Sequence, residues 1–206
     1  MREQEFGVTH ELMNTSNHRP AVLLDRDGVI NRNRSDYVKS WEEFEFLPRS
    51  LEALRMLAEH GAKVLVVTNQ SAVGRGIISP DELERIHARM NEEVEAHGGR
   101  IDAILCCPHS PDDGCHCRKP QPGLLREAME RLQLDPRLCY AVGDSLSDLM
   151  AARAAGLPFV MVLTGQGRES LSHPLCGCPP SWVASDLRAA AGWILRREGY
   201  LRRRAA

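Results

Sequence analysis

Aromatic residues are scarce in this 206-residue chain, at 5%, and neither sign of charge dominates. Lys and Arg number 26 against 28 Asp and Glu, giving a net charge of -2. A groove for nucleic acid needs basic surface interleaved with aromatic platforms, and the chain has neither, so no nucleic acid partner is expected. No run approaches the roughly eighteen apolar residues of a membrane span, so no membrane partner is expected either. Residues 1–19 are polar and lack the apolar segment of a signal peptide; they read as a flexible N-terminal extension. There is no internal repeat and no low-complexity segment. A disulfide framework is also missing. The cysteines number seven, an odd count, and four of them crowd between Cys106 and Cys117. That crowding suits a metal site in a reducing compartment, so a cytoplasmic location is expected. The one local excess of charge, Arg196 to Arg204, reads as a solvated helix end, where cations are favoured.

What is present is ordinary in bulk: 43% hydrophobic and 26% charged residues, enough for one compact domain over 20–206 and a monomer. The informative stretch is Val22-Leu23-Leu24-Asp25-Arg26-Asp27-Gly28. A short apolar run stops at a carboxylate, a second carboxylate follows two residues on, and then a glycine. This reads as a buried strand ending in a site, with Asp25 and Asp27 on the same side of the extended chain. Further apolar runs at 63–67, 101–106, 138–142 and 159–163 predict strands, with a short edge strand at 182–183. Helices are predicted from Pro48 to Gly61, from a Ser79-Pro80-Asp81-Glu82 capping box to Gly98, from Pro122, over 148–155 and over 187–201. Residues 32–47 predict a small flap over the site, and 165–180 a loop. Strands alternating with helices imply an α/β, Rossmann-like, doubly wound and mostly parallel sheet with helices on both faces. Ligands bind such sheets beyond the carboxyl ends of the strands. The polar clusters sit there: Asp25, Thr68, Cys107 and Asp144 each follow an apolar run.

The most specific local signal is Cys107-Pro108-His109 followed by Cys115-His116-Cys117. Cys-x-His and Cys-x-Cys supply three thiolates and one imidazole, the donor set of a closed tetrahedral structural Zn2+ site. The candidate ligands are Cys107, His109, Cys115 and Cys117, on a zinc loop that would fix Arg118 and Lys119. Cys106 is read as facing the core, His116 as pointing away, and Cys176 with Cys178 as incidental.

The Asp-x-Asp-Gly-Val stretch resembles the first motif of the haloacid dehalogenase-like phosphatases. That resemblance implies that Asp25 is a nucleophile forming an aspartyl-phosphate and that Asp27 is the general acid/base. It also implies that Thr68 holds the phosphoryl group and that Lys119 neutralises its charge. Mg2+ would be held by the Asp25 carboxylate, the Asp27 main-chain carbonyl and Asp144. Asp148 would support the site or cap the next helix. Together the motifs, from residue 21 to about 165, resemble the heptose bisphosphate phosphatase branch, with the histidinol-phosphate phosphatases close beside it. Ser145 departs from a Lys often found there, and Ala72 from a Gly. The expected substrate is a small sugar bisphosphate. Arg118 can offer a planar fork to phosphate or sugar oxygens, and Asn33, Arg34, Asn69, Gln70 and Ser71 lie on segments around the mouth. Histidinol phosphate is the alternative, its amine calling for a carboxylate such as Asp36 or the Glu42-Glu43 pair. A polynucleotide 3'-phosphatase and a catalytically inactive zinc-stabilised binding module are further alternatives. The Thr68-Asn69-Gln70-Ser71 segment with Arg75-Gly76 favours the heptose branch.

Overall fold

The chain builds a six-stranded, all-parallel sheet in a computed structural model that describes residues 19–173 and 179–201. The strands are β1 (Ala21–Leu24), β2 (Lys63–Asn69), β3 (Ala103–Cys107), β4 (Cys139–Gly143), β5 (Phe159–Val162) and β6 (Trp182–Ala184). Their order across the sheet is β3-β2-β1-β4-β5-β6, so the chain winds outward from β1 in both directions. The order reverses between β1 and β4, which is where an open α/β sheet leaves a crevice for ligands. Val22 pairs with Val64 on one side and Tyr140 on the other.

Alternation along β1 divides the core into two layers. Val22 and Leu24 face the layer packed by α1 (Ser50–Glu59), α3 (Pro80–Ala96) and α7 (Leu187–Arg197). Ala21 and Leu23 face the layer of α4 (Gly123–Arg131) and α5 (Leu146–Ala154). Both faces are covered, which is why the central strands read as unbroken apolar runs. In α3 the buried residues are Leu83, Ile86, Met90 and Val94, one stripe at helical spacing.

Several boundaries differ from expectation. Arg49 adopts a left-handed conformation, φ 67°, so α1 opens at Ser50 rather than at Pro48. Ser79 caps α3 by accepting from the Glu82 N–H, but the capping box is not closed, because the Glu82 carboxylate turns to Arg85. Two short helices went unforeseen. The α2 turn (Ser71–Gly74) directly follows β2, and α6 (Gly167–Ser172) occupies part of the expected 165–180 loop. Both are too short to show periodicity. The N-terminal extension up to residue 18, Cys176 and Cys178, and Arg202 to Arg204 lie outside the described residues. No described helix is long and apolar enough to cross a membrane.

Candidate active site and metal centres

The site forms where β1 stops. The Asp25 N–H still donates to the Val142 carbonyl at 2.9 Å, which holds the residue in line with the sheet while its carboxylate leaves it. Lys119 meets it there. The Lys119 ammonium lies 2.9 Å from Asp25 Oδ1 and 2.6 Å from Asp148 Oδ1, and it donates to the Val67 carbonyl at 2.8 Å. Burial alone would strip its proton, but Asp148 and Asp25 outweigh that and raise its pKa. One lysine does not balance the acids. Burial, helped by Asp148 and Asp27 and opposed by Lys119, pushes Asp25 up to about 6. Burial, then the charges of Asp25 and Asp148, push Asp144 up to about 8. Oxygens of Asp25, Asp144 and Asp148 lie within 4.8 Å of one another. An excess of buried carboxylates facing a cleft is a fitting environment for a hard divalent cation. Asp148 has little left to give it. One oxygen binds Lys119, and the other accepts from the Ser145 N–H and hydroxyl in a capping box that starts α5. Asp25 and Asp144 line the cleft.

Asp144 is held by close approach as much as by hydrogen bonds. Its Oδ2 accepts from the Gln166 N–H at 2.7 Å. A Cβ on Gly28 or on Gly165 would lie 2.1 Å or 2.0 Å from that oxygen, so both positions require glycine. Thr164 Oγ1 ties the two loops together by donating to the Gly28 carbonyl at 2.6 Å.

Asp27 stands apart from this cluster. Arg26 Nη2 reaches both of its oxygens at 3.1 and 3.0 Å, Asn31 Nδ2 donates to Oδ1 at 2.9 Å, and Gln70 Nε2 to Oδ2 at 2.8 Å. Burial works to raise its pKa, yet Arg26, Asn31 and Gln70 prevail and lower it. Gln70 also donates to Thr68 Oγ1 at 2.9 Å. Thr68 is almost fully buried under this bond and does not line the cleft wall.

The cleft encloses about 290 Å³. Asn33, Arg34 and Tyr37 of the flap form one wall, anchored by the packed rings of Trp41, Phe44 and Phe46. Asn69 at the end of β2, Gln70 and the first residue of α2, Ser71, also line it, together with Arg118. Asn69, which lines the cleft, also exchanges two hydrogen bonds with the main chain of Lys119, at 3.0 and 3.1 Å. Ala72, the departure from Gly, packs against Ile78 and Leu83. Ser145 bonds Ser147 Oγ at 2.8 Å on the wall. Sequence reasoning missed Arg26, Tyr37, Ser147, Gln166 and His87, which lies behind Arg26. Arg26 had a signal, since a charged residue between two functional aspartates on a buried strand end must be paired. His87 had none, because its partner is 61 positions away.

A second cluster sits beside the first. Cys107, Cys115 and Cys117 have sulfurs 3.2–3.6 Å apart, and His109 Nδ1 lies 3.5 Å from Cys107 and 3.2 Å from Cys117. A tetrahedral ion with bonds of roughly 2.0–2.3 Å needs donor separations close to these. The donors therefore fit a closed Zn2+ site. Cys106 packs with Ala72 and Leu83 and, like His116, is not among the four.

The HAD-hydrolase-like family model matches residues 116–190. The D-glycero-beta-D-manno-heptose-1,7-bisphosphate 7-phosphatase of Pseudomonas aeruginosa is 44% identical over 178 residues, spanning 86% of this chain and 99% of the relative. The protein of the same name from Bordetella bronchiseptica is 43% identical over 85% and 97%. This chain belongs to that family of haloacid dehalogenase-like phosphatases. The crystal structure of the B. bronchiseptica D,D-heptose 1,7-bisphosphate phosphatase, complexed with magnesium and phosphate, superposes with a TM-score of 0.82 at 42% identity, covering 86% of this chain and 99% of that one. A Mycobacterium tuberculosis phosphatase named for the alpha anomer is 42% identical over 66% of this chain and 72% of its own. Membership of the family makes the protein a phosphatase, with Asp25, Lys119 and Asp144 in the cleft of its sheet.

Proposed function

We propose that this phosphatase removes the 7-phosphate of D-glycero-β-D-manno-heptose 1,7-bisphosphate through an aspartyl-phosphate on Asp25. The observation that carries the reading is the convergence of Asp25, Lys119 and Asp144 in one cleft of a chain whose beta-named relative it spans almost end to end. Asp27 is ionised before substrate binds, so it takes a proton from water as the phosphate dianion binds beside it. An Asp25 oxygen then attacks phosphorus as the bond from phosphorus to the C7 oxygen breaks, and Asp27 passes that proton to the leaving oxygen. Water then attacks the phosphorus, passes its proton to Asp27, and frees Asp25. Lys119 stays paired with Asp25 and opposes the charge that gathers on the phosphoryl oxygens. Thr68, through Gln70, keeps the neighbouring end of β2 in place. Asp25, Asp144 and the Asp27 main-chain carbonyl would hold Mg2+, which when bound supplies charge neutralisation at the phosphoryl group.

Cys107, His109, Cys115 and Cys117 would hold a structural Zn2+ that takes no part in the chemistry. Cys117, Arg118 and Lys119 are consecutive, so the ion would fix both cations. Arg118 Nη1 donates to the His109 carbonyl at 3.3 Å, which braces it at the mouth, where the second phosphate would lie.

Histidinol phosphate is less well served. Its amine needs a free carboxylate at the mouth, but neither Asp36 nor the Glu42-Glu43 pair lines the cleft, and Asp36 and Glu43 are engaged with Arg34 and Lys39. The test is kcat/KM for the β and α heptose bisphosphates and for histidinol phosphate. The reading expects the β anomer to lead by about tenfold or more; a lead for histidinol phosphate would overturn it.

A further inference from the structure

Arg26 is the largest fully buried side chain of the described protein, and nothing in the chemistry above employs it. A buried guanidinium is costly unless its contacts serve something. Its Nη2 binds both oxygens of Asp27 and the Gln70 side-chain oxygen at 3.1 Å. Its Nη1 lies 3.2 Å from His87 Nε2 on α3. Its Nε meets no acceptor among the described residues, and its plane lies over the Phe44 ring. The guanidinium is thus oriented by its two ends alone. Arginine can only donate, so His87 Nε2 must be the acceptor and the imidazole must be neutral, with its proton on Nδ1. Burial, with Arg26 beside it, keeps the ring in that state, pushing its pKa down to about 3.

We propose that His87 and Arg26 are positioning residues that set Asp27 for proton transfer to the leaving sugar oxygen. This rests on the reading of Asp27 as the acid/base. Grip from Arg26, Asn31 and Gln70 fixes the position and plane of the carboxyl group. His87 aims the grip by holding the far end of Arg26. Loss of the acceptor at position 87 leaves Nη1 without a partner, and Arg26 turns away from Asp27 to find one. The phosphate subsite is untouched, because Asp25, Lys119 and Asp144 are held by other bonds.

The consequence depends on the leaving group. A sugar alkoxide needs the Asp27 proton as its bond to phosphorus breaks. A nitrophenolate departs without one. We therefore compare kcat/KM for the heptose bisphosphate and for nitrophenyl phosphate in wild type, His87→Leu and His87→Gln, all loaded with Mg2+. The leucine variant is expected to lose about tenfold or more on the sugar phosphate and less than about threefold on the aryl phosphate, which also reports that it folds. Glutamine offers an oxygen near the position of Nε2 and is expected to restore the sugar activity to within about threefold. An equal loss on both substrates, no loss on the sugar phosphate, or a glutamine variant as weak as leucine would overturn the proposal. Failure of the heptose assignment has a different signature: wild type would prefer another alkyl phosphate, with the alkyl-against-aryl contrast intact.

Discussion

The oxygen cluster around Asp25 and the sulfur cluster around Cys107 lie at the two ends of one short segment, yet they are built on opposite principles. The sulfur cluster is self-sufficient. Three sulfurs lie 3.2–3.6 Å apart with His109 Nδ1 3.2 and 3.5 Å from two of them, a four-donor set that a tetrahedral ion would fill. The oxygen cluster is incomplete by construction. Buried carboxylates outnumber the single lysine among them, Asp144 is raised to about 8, and the cleft beside them stays open. Closure gives shape and nothing else; incompleteness gives a place where an ion, a phosphate and water can exchange. The segment from Cys117 to Lys119 connects the two, so rigidity in the closed centre is delivered to the open one.

The sharpest way to separate the centres is to remove the nucleophile. Asp25→Asn keeps the shape and the contact with Lys119 but takes away the attacking oxygen. Turnover should fall by about 10⁴-fold, while zinc content and melting temperature stay close to wild type. Activity within tenfold of wild type would rule out the covalent route.

The reverse experiment attacks the closed centre. Cys117→Ser should lower metal content from one zinc per chain and drop the melting temperature by about 10 °C or more, since structural zinc contributes directly to folding. Elemental analysis and a thermal melt check both numbers. Residual activity in the cold should still respond to added Mg2+, because the oxygen cluster shares no ligand with the sulfur one. A variant as stable as wild type would deny the loop its structural role.

The two centres were also unequally legible in the sequence. The sulfur donors are close in the chain, so Cys-x-His and Cys-x-Cys spacing alone pointed to the four side chains that cluster in the structure. The sheet was legible for a similar reason: buried parallel strands are unbroken apolar runs, and the first four ended at a polar cluster. The oxygen centre could be read only through resemblance, because Asp25, Lys119 and Asp144 come from three distant segments. What escaped were the contacts that orient these groups. Asn69 also braces the main chain of Lys119, and Gln166 and Gly165 hold Asp144 from a segment whose composition predicts a loop. Hydrogen bonds between side chain and main chain at long separation leave no period and no spacing to find.

Gly165→Ala sharpens the comparison within the open centre. The added methyl would overlap Asp144 Oδ2 at 2.0 Å and Gly28 Cα at 2.7 Å, in a residue already at φ 52°. Asp144 must move, so the Mg2+ concentration for half-maximal activity should rise about tenfold, as when a group that orients a metal ligand is lost. Zinc content should not change. An unaltered Mg2+ requirement would mean that Asp144 is not a ligand.

The smallest effect expected is a pH-dependent one, confined to the oxygen cluster. Asp25 and Asp144 stand at about 6 and about 8 against an ordinary 3.8, so the folded chain holds protons that the unfolded chain has released. Their contribution to stability is complete below the unfolded value and is lost as pH rises through about 6 and about 8. Asp27, which is lowered, loses its contribution only as pH falls below the ordinary carboxylate range, and Lys119, which is raised, keeps its own throughout. Between pH 5 and 8 the two raised carboxylates lower stability as pH rises. His87, pushed down to about 3 from an ordinary 6.5, opposes them only up to about pH 6.5, so the protein without Mg2+ should still melt a few degrees lower at pH 8 than at pH 5.5. Mg2+ competes for the oxygens that the protons occupy, so its stabilising effect runs the other way and should be larger at pH 8. Melting curves at the two pH values, with and without Mg2+ and with zinc retained, measure both slopes. A Mg2+ shift of equal size at both pH values, or a larger one at pH 5.5, would show that protons and Mg2+ do not share those oxygens, and the open centre would have to lie elsewhere in the cleft.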